Sequence, residues 1–138
     1  MELATHVFVY GTLRPGNPNH RLIAGSVTDA VDLTVEGLQL LVPGHGCFPY
    51  ARLHPGSRTH GTLLRIDPAQ WPTAKERLDR LEGYRESSDT GHYLRRQITL
   101  PTPDGVLDAW VYLAGRIDLT TLSPAPGDEW STPAPARR

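Results

Sequence analysis

Two groups of residues in this 138-residue chain have types and spacing suited to chemistry. The first lies in Val7-Phe8-Val9-Tyr10-Gly11-Thr12-Leu13-Arg14-Pro15-Gly16. Val7 to Tyr10 are all β-formers with no turn residue among them, so they predict a short strand buried on both faces. Gly11 at its exit permits a sharp turn or a close approach to a ligand, and the amide N–H groups behind it, on Thr12 and Leu13, can then point outward as an anion-binding cup. The same letters also describe a strand followed by a Pro-Gly turn, with Tyr10 as an ordinary core aromatic. The second group is centred on Glu82, in Leu78-Asp79-Arg80-Leu81-Glu82-Gly83-Tyr84, at the C-terminal end of a helical pattern. The negative pole of the helix dipole and the unsatisfied carbonyls there disfavour an ionised carboxylate and push its pKa upward. Such a group is suited to taking and returning a proton near neutral pH. The alternative is a solvated Glu82 paired with Arg85 or Arg80.

The elements that must position these residues follow from pattern. After the first strand, Pro15-Gly16-Asn17-Pro18-Asn19 is a loop, and Asn19 caps one or two helical turns from His20 to Ala24 before Gly25. Val27 to Val42 alternates at period two, with Gly37 marking a bulge or bend in one long curved strand. Pro43-Gly44-His45-Gly46 is a turn, and Cys47 to Leu53 is a short extended piece whose Pro49 argues against a central strand position. His54-Pro55-Gly56-Ser57 signals another turn, and Arg58 to Ile66 the next strand. Asp67 to Trp71 predicts a turn and Pro72 to about Leu81 the one main helix, with Ala74, Leu78 and Leu81 on its apolar face, Lys75, Glu76, Arg77 and Arg80 toward solvent, and Gly83 as terminator. His92 to Leu100 and Val106 to Leu113 form two more strands joined by the turn Pro101 to Gly105. Trp130, alone in a polar segment, is expected to dock on an apolar surface.

Composition narrows the class. The length suits a single domain over residues 1–130, with 131–138 as a flexible tail. Fourteen Lys and Arg against fifteen Asp and Glu, without a basic-aromatic stripe, speak against nucleic acid and anionic membrane as partners. No apolar run approaches membrane length and no secretory leader is recognisable, so the expected location is cytoplasmic. Cys47 is the only cysteine, which excludes an intrachain disulfide and a cysteine-rich zinc site. The six His are not spaced as paired metal ligands. A cysteine hydrolase built from Cys47 with His45 or His92 has no support beyond residue type, because a lone Cys is usually inert packing. The loop Gly11 to Gly16 lacks the Gly-Lys-Ser/Thr of a triphosphate-binding loop.

Tyr10-Gly11-Thr12-Leu13-Arg14 resembles the signature loop of the γ-glutamylcyclotransferase-like family, small enzymes that cyclise a γ-glutamyl group to 5-oxoproline. Leu78-Asp79-Arg80-Leu81-Glu82-Gly83-Tyr84 resembles the family segment that holds the catalytic glutamate. Tyr93-Leu94-Arg95-Arg96 and Asp108-Ala109-Trp110-Val111-Tyr112 resemble two later strands that contribute cavity aromatics. Gly127-Asp128-Glu129-Trp130 resembles a C-terminal Gly-Asp-Trp, with Glu129 as an insertion. The spelling and short chain lean toward the γ-glutamylamine and small bacterial branch.

The resemblance implies an α+β fold, a small mixed β-barrel of about five or six strands with the main helix alongside. It also implies Glu82 as general acid/base, Tyr10, Gly11, Thr12, Leu13, Tyr93 and Tyr112 around a small-molecule γ-glutamyl substrate, and no metal or cofactor. Arg14 and the following loop face either a leaving group or water. A non-catalytic module binding a small acidic metabolite on the same fold is the competing function. The sequence leaves the oligomeric state open.

Overall fold

A computed structural model describes residues 5–131. Strand β1 (His6–Val9) is followed by two short 3-10 turns (His20–Leu22 and Ala24–Ser26). The long strands β2 (Val27–Val42) and β3 (Tyr50–Ile66) come next, then helix α1 (Trp71–Glu82). A minimal hairpin, β4 (Tyr84–Arg85) with β5 (Thr90–Gly91), leads into β6 (Tyr93–Thr102) and β7 (Gly105–Ala114), and β8 (Ser123–Pro124) closes the order. Six strands form one mixed sheet in the order β6-β7-β1-β3-β2-β8. The β1–β7 pairing is parallel and the others antiparallel. The result is the expected mixed sheet in half-barrel form, with one main helix packed against it.

β1 is the strand on which both cores meet. Val7, Phe8 and Val9 are 0%, 1% and 3% exposed. Because successive side chains point to opposite faces, Phe8 joins Leu38, Leu40, Leu100 and Val111 in one core, while Val7 and Val9 join Leu64, Ile66 and the buried face of α1 in the other. On that second face Trp71, Ala74 and Leu78 of α1 are buried, and Trp71 stacks on Trp110 of β7 with centroids 6.3 Å apart.

Local chemistry accounts for most element ends. The Asp67 carboxylate accepts the Ala69 N–H at 3.0 Å in the turn that leads into α1. Pro72 sits in the first turn of the helix, where a missing N–H costs nothing. The helix therefore starts one residue earlier than expected. Gly83 ends it in a left-handed conformation, φ 66°, which a glycine adopts without strain. In β2 a register shift between Glu36 and Leu38 places the expected bulge at Gly37. Trp130 docks as expected, 5% exposed and donating its Nε1–H to the Gly46 carbonyl at 2.9 Å.

Three expectations are corrected. The His54–Ser57 turn does not separate two strands: Leu53 pairs with Leu38 and Arg58 with Glu36, so residues 54–57 bulge out opposite Gly37 while β3 continues along the same partner. Resumed ladder bonding on both sides makes Pro55-Gly56 a kink rather than a reversal. Asn19 makes no side-chain cap for the turn after it, because its amide bonds Thr12 instead. Leu81 is 39% exposed instead of sharing the buried face with Leu78. Most of the expected tail, residues 132–138, lies outside the described residues. Among the described residues no helix is long and apolar enough to cross a membrane.

Leu78 is fully buried at the centre of the α1 contact. Leu78→Ala is expected to lower unfolding free energy by about 2–5 kcal/mol, through lost transfer energy and the cavity left behind. Urea unfolding followed by tryptophan fluorescence measures it.

Candidate functional site

The exit of β1 is shaped by a close approach. A Cβ on Gly11 would lie 2.7 Å from the ring of Pro49, so only glycine lets the chain pass there. Beyond it, the carbonyls of Gly11, Thr12 and Leu13 are all engaged. The Gly11 carbonyl accepts the Arg14 N–H at 3.1 Å and the Asn17 side-chain amide at 2.9 Å. The Thr12 carbonyl accepts the Asn19 N–H at 3.0 Å, and the Leu13 carbonyl meets His20 Nδ1 at 2.8 Å. Asn19 also donates its side-chain amide to Thr12 Oγ1 at 2.9 Å. The N–H groups of Gly11, Thr12 and Leu13 have no hydrogen-bond acceptor among the described residues. Backbone and side-chain donors together tie down the acceptor side of Gly11 to Leu13 and leave its donor side available, as an anion-binding cup requires.

The three residues line a cavity of about 280 Å³ together with Tyr10, Glu82, Tyr93 and Tyr112. The seven residues that the family resemblance assigned to the site, Glu82, Tyr10, Gly11, Thr12, Leu13, Tyr93 and Tyr112, therefore border one cavity. Phe8, Val9, Asn19, Phe48, Pro49, Leu81 and His92 complete its walls. Glu82 is the last residue of α1 and is half-buried. Desolvation raises its pKa to about 8. The helix end pushes in the same direction, but burial beside the apolar cavity wall is what moves the group. The alternative pairing is not formed: Arg80 bonds Glu76 at 3.1 Å, and among the described residues Glu82 makes no ion pair.

The tyrosines present ring faces and edges to the cavity, since their hydroxyls are committed elsewhere. Tyr10 donates to the Tyr112 carbonyl at 2.5 Å, Tyr93 to the Pro49 carbonyl at 2.8 Å, and Tyr112 to the Asp79 carboxylate at 2.6 Å. Burial pushes all three phenols upward, so they stay protonated throughout the neutral range. His92 lies at the same wall, its Nε2 2.5 Å from the Tyr50 hydroxyl.

Arg14 points away from this cavity. It donates to Thr62 Oγ1 at 3.0 Å and pairs with Glu129 at 2.8 Å, binding the C-terminal segment to the loop. Cys47 is exposed rather than packed, and its thiol contacts the His45 carbonyl at 3.7 Å instead of an imidazole, which removes the basis for a Cys-His nucleophile. Among the described residues no cluster of three or more His, Cys, Asp or Glu is arranged to hold a metal.

Phe48, Pro49 and His92 were not identified from sequence as cavity residues, and Asp79 not as a partner of Tyr112. The proline break at Pro49 was the only local signal, and it spoke of strand termination rather than of a wall.

Residues 7–132 match the family described as Gamma-glutamyl cyclotransferase, AIG2-like. The chain belongs to that family. A Drosophila melanogaster protein named "Putative gamma-glutamylcyclotransferase CG2811" is 28% identical over 124 residues, covering 82% of this chain and 71% of the fly protein. The fold recurs in an aig2-like protein from Mus musculus, with TM-score 0.66 and 21% identity over 96% of this chain and 98% of the mouse one. It recurs also in YkqA from Bacillus subtilis, with TM-score 0.63 and 18% identity over 93% of this chain, which spans only 40% of the YkqA chain.

A carboxyl whose pKa is raised in the folded state binds its proton more tightly there than in the unfolded chain. Its stabilising contribution is complete below the ordinary Glu value and is lost as pH rises through about 8. The Tm of the wild type is therefore expected to fall relative to that of Glu82→Gln between roughly pH 4.5 and 8. Parallel melting curves of the two proteins across this range check it.

Proposed function

We propose that this family member is an enzyme that cyclises the γ-glutamyl group of a small molecule to 5-oxoproline and releases an amine or amino acid, with residues 1–130 acting as one domain. The observation that carries this reading is the placement in one cavity of a desolvated Glu82 and a loop whose three N–H groups are unused.

The reaction is intramolecular aminolysis. The substrate's α-amino nitrogen attacks its own γ-carbonyl carbon, forming the lactam C–N bond, and the original amide C–N bond breaks as the leaving nitrogen departs. Nucleophile and electrophile belong to one molecule, so holding the folded conformer supplies much of the rate enhancement. Glu82, with a pKa of about 8, is basic enough to take a proton from the α-ammonium and acidic enough to return it to the leaving nitrogen. The N–H groups of Gly11, Thr12 and Leu13 hold the α-carboxylate or the oxyanion that develops on the γ-carbonyl, where fixed dipoles in a partly dry cavity act most strongly. Tyr10, Tyr93 and Tyr112 form the walls that fold the substrate on itself.

The test is 5-oxoproline release from a panel of γ-glutamyl amino acids, γ-glutamyl amines and γ-glutamyl-ε-lysine. The wild type is expected to release 5-oxoproline and Glu82→Gln to lose about 10²- to 10⁴-fold in kcat, the usual contribution of a positioned proton-transfer group. A folded wild type that releases none, yet is stabilised against heat by the same compounds, would instead be a binding module.

A further inference from the structure

One turn before Glu82 on α1, Asp79 occupies a position no local pattern distinguishes. Its carboxylate accepts the Tyr112 hydroxyl at 2.6 Å and both arms of Arg95, Nε at 2.9 Å and Nη2 at 3.3 Å. Arg95 and Tyr112 sit opposite each other in the β6–β7 ladder, so both reach up from neighbouring strands to the same acceptor. The Arg95 side chain is 6% exposed, lies over the Trp110 ring at 4.9 Å and also pairs with Glu86. A bidentate guanidinium–carboxylate pair so enclosed has a fixed geometry, unlike exposed pairs on the same helix such as Arg80–Glu76.

The bonds continue past Asp79. Tyr112, held through its hydroxyl, offers its backbone carbonyl to the Tyr10 hydroxyl at 2.5 Å, and Tyr10 is the residue immediately before the Gly11 loop. A continuous path thus runs from the last turn of α1, through Asp79, Tyr112 and Tyr10, to the loop of free N–H groups. We infer that Asp79 is a positioning residue: through Tyr112 and Arg95 it fixes the last turn of α1, and so the distance between the Glu82 carboxyl and the Gly11–Leu13 amides. The catalytic consequence rests on the reading of Glu82 as the proton-transferring group, whereas the positional consequence does not.

Arg80 and Glu76 on the same helix are exposed and paired with each other, which leaves Asp79 as the charged side chain of this turn that faces the sheet. The titratable groups facing Glu82 are the phenols of Tyr10, Tyr93 and Tyr112, with His92 on the same wall and the Tyr50 phenol behind it. Loosening the turn admits water to Glu82 and brings its titration down from about 8 toward the ordinary Glu range.

The experiment compares wild type, Asp79→Asn, Tyr112→Phe and the double variant. Tyr112→Phe keeps the ring and removes only the hydroxyl that reaches Asp79, which guards against failure of Asp79→Asn to fold. Two readouts are taken on each protein: the titration of the Glu82 carboxyl by carbon-13 NMR, assigned with Glu82→Gln, and the pH profiles of kcat and KM for 5-oxoproline release. Expected for both single variants are a downward shift of the Glu82 titration, the same shift in the acid limb of kcat, and a fall in kcat of about 10- to 100-fold with KM changed far less. The double variant is expected to lose no more than the worse single one, because both substitutions break one path. An unmoved Glu82 titration in folded Asp79→Asn or Tyr112→Phe, or a loss of Tm with the acid limb in place, overturns the inference. If the wild type releases no 5-oxoproline, the enzymatic reading fails, and the NMR titration alone then decides whether Asp79 positions Glu82.

Discussion

The rest of this molecule depends on three residues, Val7, Phe8 and Val9, being held from every side. β1 pairs with β3 on one edge and β7 on the other, and its side chains enter a different core at each step. Such a strand cannot slide by one residue without exchanging Phe8 and its valine neighbours between two filled interiors. Its exit point is therefore as rigid as the cores themselves. The segment after β1 is a loop, ordinarily the least determined kind of structure, yet its carbonyls are fastened one by one by Arg14, Asn17, Asn19 and His20. The donor side of the loop is presented because the acceptor side is occupied.

Glu82 shows a second constraint, a conflict between charge and burial. Ionising a carboxyl against an apolar wall costs free energy that no cation among the described residues offsets, and the protein meets this by keeping the proton to about pH 8. The strain is tolerable because the helix that carries the group is anchored elsewhere, by Trp71, Ala74 and Leu78 in the core and by the Asp79–Arg95 pair at the sheet. The cyclisation proposed for this chain would need little more from a scaffold: one group that exchanges a proton near neutrality, one set of fixed dipoles, and walls that leave a bound molecule a single folded shape.

Much of this was legible along the chain. Val7 to Tyr10 reads as a doubly buried strand from four adjacent β-formers, and Gly11 as either a sharp turn or a close approach to a ligand, although the group it passes closely is the Pro49 ring. The long strand with a bend at Gly37, the β6–β7 hairpin and the helix ended by Gly83 all follow from periodicity and turn chemistry. The upward direction of the Glu82 pKa was also within reach, although argued from the helix dipole, whereas burial is the cause in the structure. Two of the misreadings involve distance. His54 to Ser57 has turn composition, and nothing nearby tells that β2 continues on both sides of the excursion. Leu81 keeps the helical spacing of a core residue but falls where the sheet gives way to the cavity.

By itself, then, the sequence determined the elements, the loop that can turn its amides outward, and the helix end that bears the carboxyl, because each depends on residues within a few positions of one another. The tertiary structure decided that these meet in one cavity, that Phe48, Pro49 and His92 wall it, and that Asp79 joins Tyr112 and Arg95 from 33 and 16 residues away. The physical reason is that desolvation and side-chain pairing belong to surfaces that come into contact, and which surfaces meet is set by strand order and packing, quantities that no local spacing encodes.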